Sequence, residues 1–325
     1  MKSIVVNNFG GPEVLEYMDV EVPDINESQV LIKVEKTSVN FADIKSRYGN
    51  KGKKTPFTPG LDCAGVVEQV GSQVKDIHKG QRVIAFPSSG AYSEYVVADE
   101  NLTFPISDQL SFSDAAASPT VSFLAYKLIN DIGRLEEGEN VLIHSASGGV
   151  GTTAIQLAKI AGAKTIIGTV GDLKKADIAK EVGADYVISH EDHNFAEQVN
   201  ELTNGEGVDV VLDSISGRVS EESLNCLADY GRLVHFGNSS DEVGNIQTKD
   251  LHASCRQVLG FSLGTTRKKR PHLLKEVAKN VFNLMLEGHL KVKVGHEYKL
   301  SDVQSAHKLM ESRKSVGKIL LDAKS

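Results

Sequence analysis

The sequence predicts a two-domain α/β chain, an antiparallel β-domain followed by a doubly wound parallel sheet. Three observations carry that prediction. At 325 residues the chain is longer than one hydrophobic core usually serves. Up to about residue 100, short β-branched runs alternate with Gly, Pro, Asn and Asp clusters, the rhythm of a barrel or sandwich. Between about 139 and 262, near-continuous Val, Ile and Leu runs alternate with helical segments, as buried parallel strands and their crossover helices do.

The elements follow in order. "SIVV", "QVLIKVEKTSV", "CAGVVEQV", "QRVIAF" and "AYSEYVVA" read as strands, with Gly60, Gly71, Gly80 and Gly90 at turn-like positions. Near residue 110 the texture changes to "SFSDAAASPTVSFLAYKLI", a helical pattern with Ser113 or Asp114 as its expected cap. The second architecture has strands "NVLIHS", "TIIGTV", "YVIS", "VDVVLDS", "RLVHFG" and "RQVLGFSL", with helices such as "GTTAIQLAKIAGA" and "LKKADIAKEVGA" between them. After Pro271, "HLLKEVAKNVFNLMLEG" is an amphipathic helix, followed by strand-like "KVKV", a helix "SDVQSAHKLMES" and a final "GKILLD". That tail is too short for a third core and is expected to pack back on the first domain. The expected divisions are 1–115, 116–270 and 271–325.

Composition bounds the function. Hydrophobic residues make up 40% and charged residues 24%, as in folded domains. A formal net charge of −7 argues against nucleic acid as the main partner. The one strong basic run, Arg267 to Arg270, reads as a solvated loop, with a phosphate or RNA patch as its alternative. Cys63, Cys226 and Cys255 are far apart, which suits a reducing compartment and makes the cytoplasm the expected location. No apolar run reaches transmembrane length, and the N-terminus lacks the apolar core of a signal peptide.

The strongest local signal is "HSASGGVG", His144 to Gly151, between a buried-strand run and a helix. Ala146 to Gly151 is a dinucleotide fingerprint with Ala at the first glycine position. Small residues let the backbone turn sharply, Gly148 lets amides approach a pyrophosphate, and Gly151 lets helix pack on strand. About 20 residues on, a carboxylate would select NAD. Gly171 stands at the expected strand end, with Lys174 and Lys175 able to neutralise a phosphate, so NADPH is preferred. Asp172 is open between a helix N-cap, the favoured reading, and a ribose ligand.

The stretch "GENVLIHSASGGVGTTAIQLAK" resembles the signature of the zinc-independent quinone oxidoreductases of the medium-chain dehydrogenase/reductase superfamily, the family that also contains zeta-crystallin. "VNFAD", "PGLDCAGVVEQVG", "GQRV", "AYSEYVV", "GTVG", "DSISG", "FGNSS" and "ESR" extend the resemblance over essentially the whole chain. It implies a GroES-like β-domain and a Rossmann-type nucleotide domain, with NADPH as cofactor. The amides of Gly148, Gly149, Val150 and Gly151 would meet the pyrophosphate, with Ser147 a further cofactor contact, and Gly171 and Lys175 the adenosine phosphate. Arg313 matches a further phosphate-side position; Asn238 and Ser239 would lie near the nicotinamide half, and Phe261 is a further expected cofactor contact. Asn40 matches a residue facing the nicotinamide and substrate in the cleft between the domains. Two positions depart from the family pattern. His190 replaces a common tyrosine and is either a donor to the phosphate or a solvated turn residue, and Leu124 replaces a threonine near the nicotinamide. Relatives are often dimers, so a homodimer joined along a strand such as "RQVLGFSL" is expected.

Zinc-dependent cousins hold a metal with cysteine and histidine, whereas the matching places here are Asn40 and Leu61, and Cys63 alone reads as a small buried residue. No zinc is expected, which makes quinones and other conjugated carbonyls better acceptors than simple alcohol chemistry. Asn40 and Tyr48 are the candidate catalytic groups, hydrogen-bonding a substrate carbonyl, and Asp43 is expected to hold their loop. The expected reaction is NADPH-dependent quinone reduction by hydride or single-electron delivery. Reduction of enones, alkenals or enoyl thioesters is the alternative within enzymes, and an NADPH-binding RNA-binding or structural protein is the alternative outside them.

Overall fold

A computed structural model describes residues 1–50, 52, 54–88 and 90–324. The N-terminal part supplies strands β1 (Lys2–Val6), β2 (Leu15–Asp19), β3 (Gln29–Val39), β4 (Cys63–Val70), β5 (Arg82–Ala85), β6 (Tyr95–Asp99) and β7 (Thr103–Pro105), with helix α1 (Phe41–Arg47) after β3. Helices α2 (Phe112–Ala117) and α3 (Pro119–Tyr126) follow. The cap of α2 is Ser111, whose Oγ accepts from the Asp114 amide at 3.1 Å, and not Ser113 or Asp114 as expected. A cap must precede the first helical residue, and Phe112 is already helical.

Strands β8 (Asn140–Ile143), β9 (Thr165–Val170), β10 (Tyr186–Ser189), β11 (Val208–Asp213), β12 (Leu227–His235) and β13 (Gln257–Gly260) then alternate with helices α4 (Gly149–Ile160), α5 (Ala176–Glu181), α6 (Phe195–Leu202), α7 (Arg218–Ser223) and α8 (Lys249–His252). All six strands are parallel in the order β10-β9-β8-β11-β12-β13, the order of dinucleotide-binding folds. Helices cover both faces of such a sheet, so consecutive residues of its central strands are buried; Val141, Leu142, Val211 and Leu233 have no exposed surface. Against one face, α6 buries Phe195, Ala196 and Val199.

The chain ends with α9 (Leu263–Lys269), α10 (Leu273–Leu286), β14 (Val294–Lys299), α11 (Val303–Glu311) and β15 (Lys318–Asp322). The basic run is therefore the end of a helix and the residue after it, rather than a loop. β15 pairs antiparallel with β3, Ile319 opposite Val39, and carries β14 on its other side. Register shifts in β3, between Leu31 and Ile32 and between Val34 and Lys36, bend the strand. Its first half can then pair with β6 and its last residues with β15, while β4 lies along the opposite edge.

Contacts divide the chain into two units, 1–121 with 267–325 and 122–266. These divisions fall inside α3 and α9, against 115/116 and 270/271 expected from the sequence. Continuous helices join the units, so no change of composition marks the joins. No helix among the described residues is long and apolar enough to cross a membrane.

Candidate functional site

In the parallel-sheet unit, the junction after β8 is shaped by backbone. Ser145 adopts a left-handed φ of 54°, and α4 starts at Gly149 with Gly148 as its N-cap. A Cβ on Gly151 would stand 2.4 Å from the Ser145 carbonyl oxygen and 2.7 Å from Ala146 Cα, so only glycine lets the helix lie this close to the strand. At exposed Gly148 a Cβ would meet only the Ser145 oxygen, at 3.3 Å. The Gly149, Val150 and Gly151 amides have no acceptor among the described residues, as at any helix start, and the positive end of a 12-residue helix lies behind them. These residues fit a pyrophosphate: the amides are open and the cradle is closed to side chains.

Beneath this junction runs a chain of neutral polar groups. His144 is buried, and burial brings its imidazole down to about 4. Its Nε2 is 2.8 Å from Ser223 Oγ and its Nδ1 2.8 Å from Thr169 Oγ1. Ser223 donates its one proton to the Val219 carbonyl at 2.7 Å, so it accepts from His144 Nε2–H. The His144 Nδ1 lone pair then accepts from Thr169, and Thr169 must accept from His190 Nδ1–H at 3.1 Å. The outer nitrogen of His190, Nε2, lies 3.5 Å from Glu191 and beside Gly171, where a Cβ would stand 3.3 Å away. His190 is thus tied into the unit, unlike a solvated turn residue. Asp172 accepts from the Lys174 amide at 3.0 Å and caps a short 3-10 turn, the favoured of its two readings. Lys175 is half-buried in that turn, Asn238 is exposed, and Ser239 and Phe261 are half-buried, their amides on the Ser214 and His235 carbonyls. Leu124 is half-buried in α3.

In the other unit, charge is buried around Asn40, which caps α1 and is 6% exposed. Its Oδ1 accepts from Lys318 Nζ at 2.7 Å, and its Nδ2 faces Asp62 Oδ1 at 3.2 Å and Ser38 Oγ at 3.3 Å. The ammonium therefore fixes which way the amide points. Lys318, the first residue of β15, also donates to the Val39 carbonyl; burial pushes its ammonium down, and Asp62 and Asp43 oppose the shift. Asp62 further accepts from Ser38 Oγ at 2.6 Å and the Thr120 amide at 3.1 Å. Asp43 holds the loop as expected, taking the Asn40 amide at 2.9 Å, the Gly60 amide at 3.2 Å and Tyr92 Oη at 3.3 Å. Burial pushes its carboxyl up to about 7.

A second line leads away from Asp43. Buried Arg47 donates to the Gly10 carbonyl and to His307 Nδ1 at 3.1 Å, and pairs with Glu311. Arg47 cannot accept, so the His307 proton is on Nε2, which faces Tyr92 Oη at 3.2 Å. Burial, with Arg47 beside it, brings His307 down to about 3. Tyr48 is 47% exposed at the end of α1, its ring 4.6 Å from the Arg47 guanidinium. Arg313 is exposed in this unit, just after α11. Asn40 and Tyr48 thus share a unit with Arg313, while the other expected cofactor residues share the parallel-sheet unit. Among the described residues, no group of three or more His, Cys, Asp or Glu side chains is placed to hold a metal. Cys63 is fully buried in β4, with its thiol pushed up by burial.

Sequence reasoning missed Lys318, Asp62, Tyr92 and His307. Their one local signal is charge inside an apolar run, as in "GKILLD", where a lysine opens a strand with no exposed edge of its own.

Comparison with known proteins fits both units. Residues 149–279 match the family model of zinc-binding dehydrogenases, and residues 26–108 that of the alcohol dehydrogenase GroES-like domain. The chain is 36% identical to quinone oxidoreductase 1 of Escherichia coli over 98% of both chains. This chain belongs to the quinone oxidoreductases of the medium-chain dehydrogenase/reductase superfamily. The solved Escherichia coli quinone oxidoreductase complexed with NADPH superposes on this oxidoreductase with a TM-score of 0.92 at 34% identity, covering 99% of this chain and all of that one. Highly-reducing polyketide synthase 1 of Aureobasidium melanogenum is 35% identical over 99% of this chain, which spans only 15% of that protein's length.

Proposed function

We propose that the protein is an NADPH-dependent reductase of quinones. The observation that carries the reading is the side-chain-free cradle at the start of α4, with three amides open, in a chain that matches quinone oxidoreductases from end to end. When bound, NADPH supplies a hydride, or electrons singly, to a conjugated carbonyl. The Gly149, Val150 and Gly151 amides hold the pyrophosphate, with Ser147 and Gly148 forming the turn. Gly171, Lys175, His190 and Arg313 receive the adenosine phosphate, and Asn238, Ser239 and Phe261 border the nicotinamide. Asn40, its amide orientation set by Lys318 and Asp62, lines the substrate position, and Tyr48 is the exposed hydroxyl of the same helix. No zinc takes part in this reading.

The same reading makes the protein a cytoplasmic homodimer without a nucleic-acid partner. The edge strand β13 offers the surface, since β12 is its only strand neighbour among the described residues. The likeness to a polyketide synthase segment favours conjugated alkenals or enoyl thioesters as a second acceptor class. Steady-state rates with NADPH and 1,4-benzoquinone or 9,10-phenanthrenequinone, against an alkenal and an enoyl thioester, decide between the classes. Turnover of only the alkenal or thioester refutes the quinone reading.

A further inference from the structure

The basic run at the end of α9 is not uniform. Lys268, Lys269 and Arg270 are exposed, whereas Arg267 is half-buried. Its Nη1 donates to the Leu61 carbonyl at 3.2 Å, and its guanidinium lies 4.8 Å from the centroid of the Phe86 ring. These two contacts fix the guanidinium plane but use one of its five N–H donors. The other four have no acceptor among the described residues. Asp62 and Asp43 act on Arg267 through their charge, yet neither pairs with it. Both are engaged elsewhere: Asp62 with Ser38, Asn40 and Thr120, and Asp43 with Asn40, Gly60 and Tyr92. An oriented, partly desolvated guanidinium with open donors, held against the Leu61–Asp62 segment, is built to receive an anionic oxygen.

We propose that Arg267 is a catalytic residue that donates to the substrate carbonyl oxygen as that oxygen gains negative charge. Hydride addition to a conjugated carbonyl forms one new bond to hydrogen on the substrate and leaves oxidised nicotinamide. The displaced π pair settles on the carbonyl oxygen, which then takes one proton from solvent to give the hydroquinone or enol. Arg267 stabilises the anion before that proton arrives. This rests on the reductase reading but not on the choice of acceptor, because quinones and enones both leave charge on oxygen.

The test compares full-length wild type, Arg267→Gln, Arg267→Ala and Arg267→Lys with NADPH over a series of para-quinones graded by the basicity of their hydroquinones, and one enone series. Arg267→Gln is expected to lower kcat/KM by about 10²–10³-fold, the loss typical of a missing oxyanion donor. The loss grows with product basicity, NADPH affinity stays unchanged, and added guanidinium ion partly restores Arg267→Ala. A side chain that only packs on Phe86 would lower all substrates equally and show no rescue, and that result overturns the assignment, as does an unchanged kcat/KM. If Gln and Ala do not fold, Arg267→Lys decides: an unaltered dependence on product basicity overturns the proposal. A wild type inactive on both series removes the reductase reading itself; an active wild type with an insensitive variant removes only this inference.

Discussion

The two units put polar chemistry beside a buried core in opposite ways. The parallel-sheet unit offers backbone amides and backs them with neutral side chains, His144, Thr169 and Ser223, each satisfied by the next. The β-unit buries ionisable groups, Lys318, Asp62, Asp43 and Arg47, and holds Asn40 between Lys318 and Asp62. Hydrogen bonds between neutral groups tolerate loss of a partner at moderate cost, whereas a buried charge left alone is expensive. The centre around Asn40 should therefore fail sharply under substitution, and the neutral polar chain beneath the glycine junction by degrees.

The sharpest break in that comparison is Lys318→Met, which leaves Asp62 and Asp43 without their buried cation. A destabilisation of about 3–5 kcal/mol is expected in urea unfolding, far beyond the effect of Ser223→Ala under His144. Equal losses would erase the distinction. Protons sharpen it next. His144 sits at about 4 when folded against 6.5 when unfolded, so the unfolded chain takes the proton first. Its contribution is intact at pH 7 and falls by about 3 kcal/mol as pH drops from 6.5 to 4. Asp43 has the opposite sign. Its carboxyl sits at about 7 when folded against 3.8, so its contribution is full below about pH 4 and is lost as pH rises through 7. Unfolding free energy measured across that range should lose its acid slope in His144→Gln and lose its fall between about pH 4 and 7 in Asp43→Asn.

Gly151→Ala and Gly148→Ala separate folding from binding within the junction. The first forces a Cβ onto Ser145 and should cost about 1–3 kcal/mol as well as NADPH affinity. The second should spare the thermal midpoint and weaken NADPH alone. The smallest effect concerns the adenosine phosphate. Lys175→Ala should raise the NADPH dissociation constant about tenfold. His190 Nε2 lies beside Gly171, so preference for NADPH over NADH should fall in His190→Ala. An unchanged preference in that variant would remove His190 from the site.

What could be read in advance follows the same division. The parallel sheet, the glycine junction and the cap at Asp172 are encoded within a few consecutive residues, as spacing and side-chain size. The charged centre is not, because Asn40, Asp62, Tyr92, His307 and Lys318 come from distant parts of the sequence, and Lys318 reaches Asn40 only once β15 lies on β3. Even Asn40, singled out from its motif, was missing the two partners that orient it. Arg267 looked like one member of a solvated run because nothing in "RKKR" distinguishes the residue that finds Phe86 and the Leu61 carbonyl.

Asn40 and Lys318 are 278 residues apart. On the ribosome, the whole parallel-sheet unit, contiguous from 122 to 266, emerges before the ammonium that orients the Asn40 amide has been synthesised. Until then the end of β3 is an open strand edge above two unbalanced carboxylates. The nucleotide domain can be complete on a nascent chain, but the chemistry that uses it waits for the last strand.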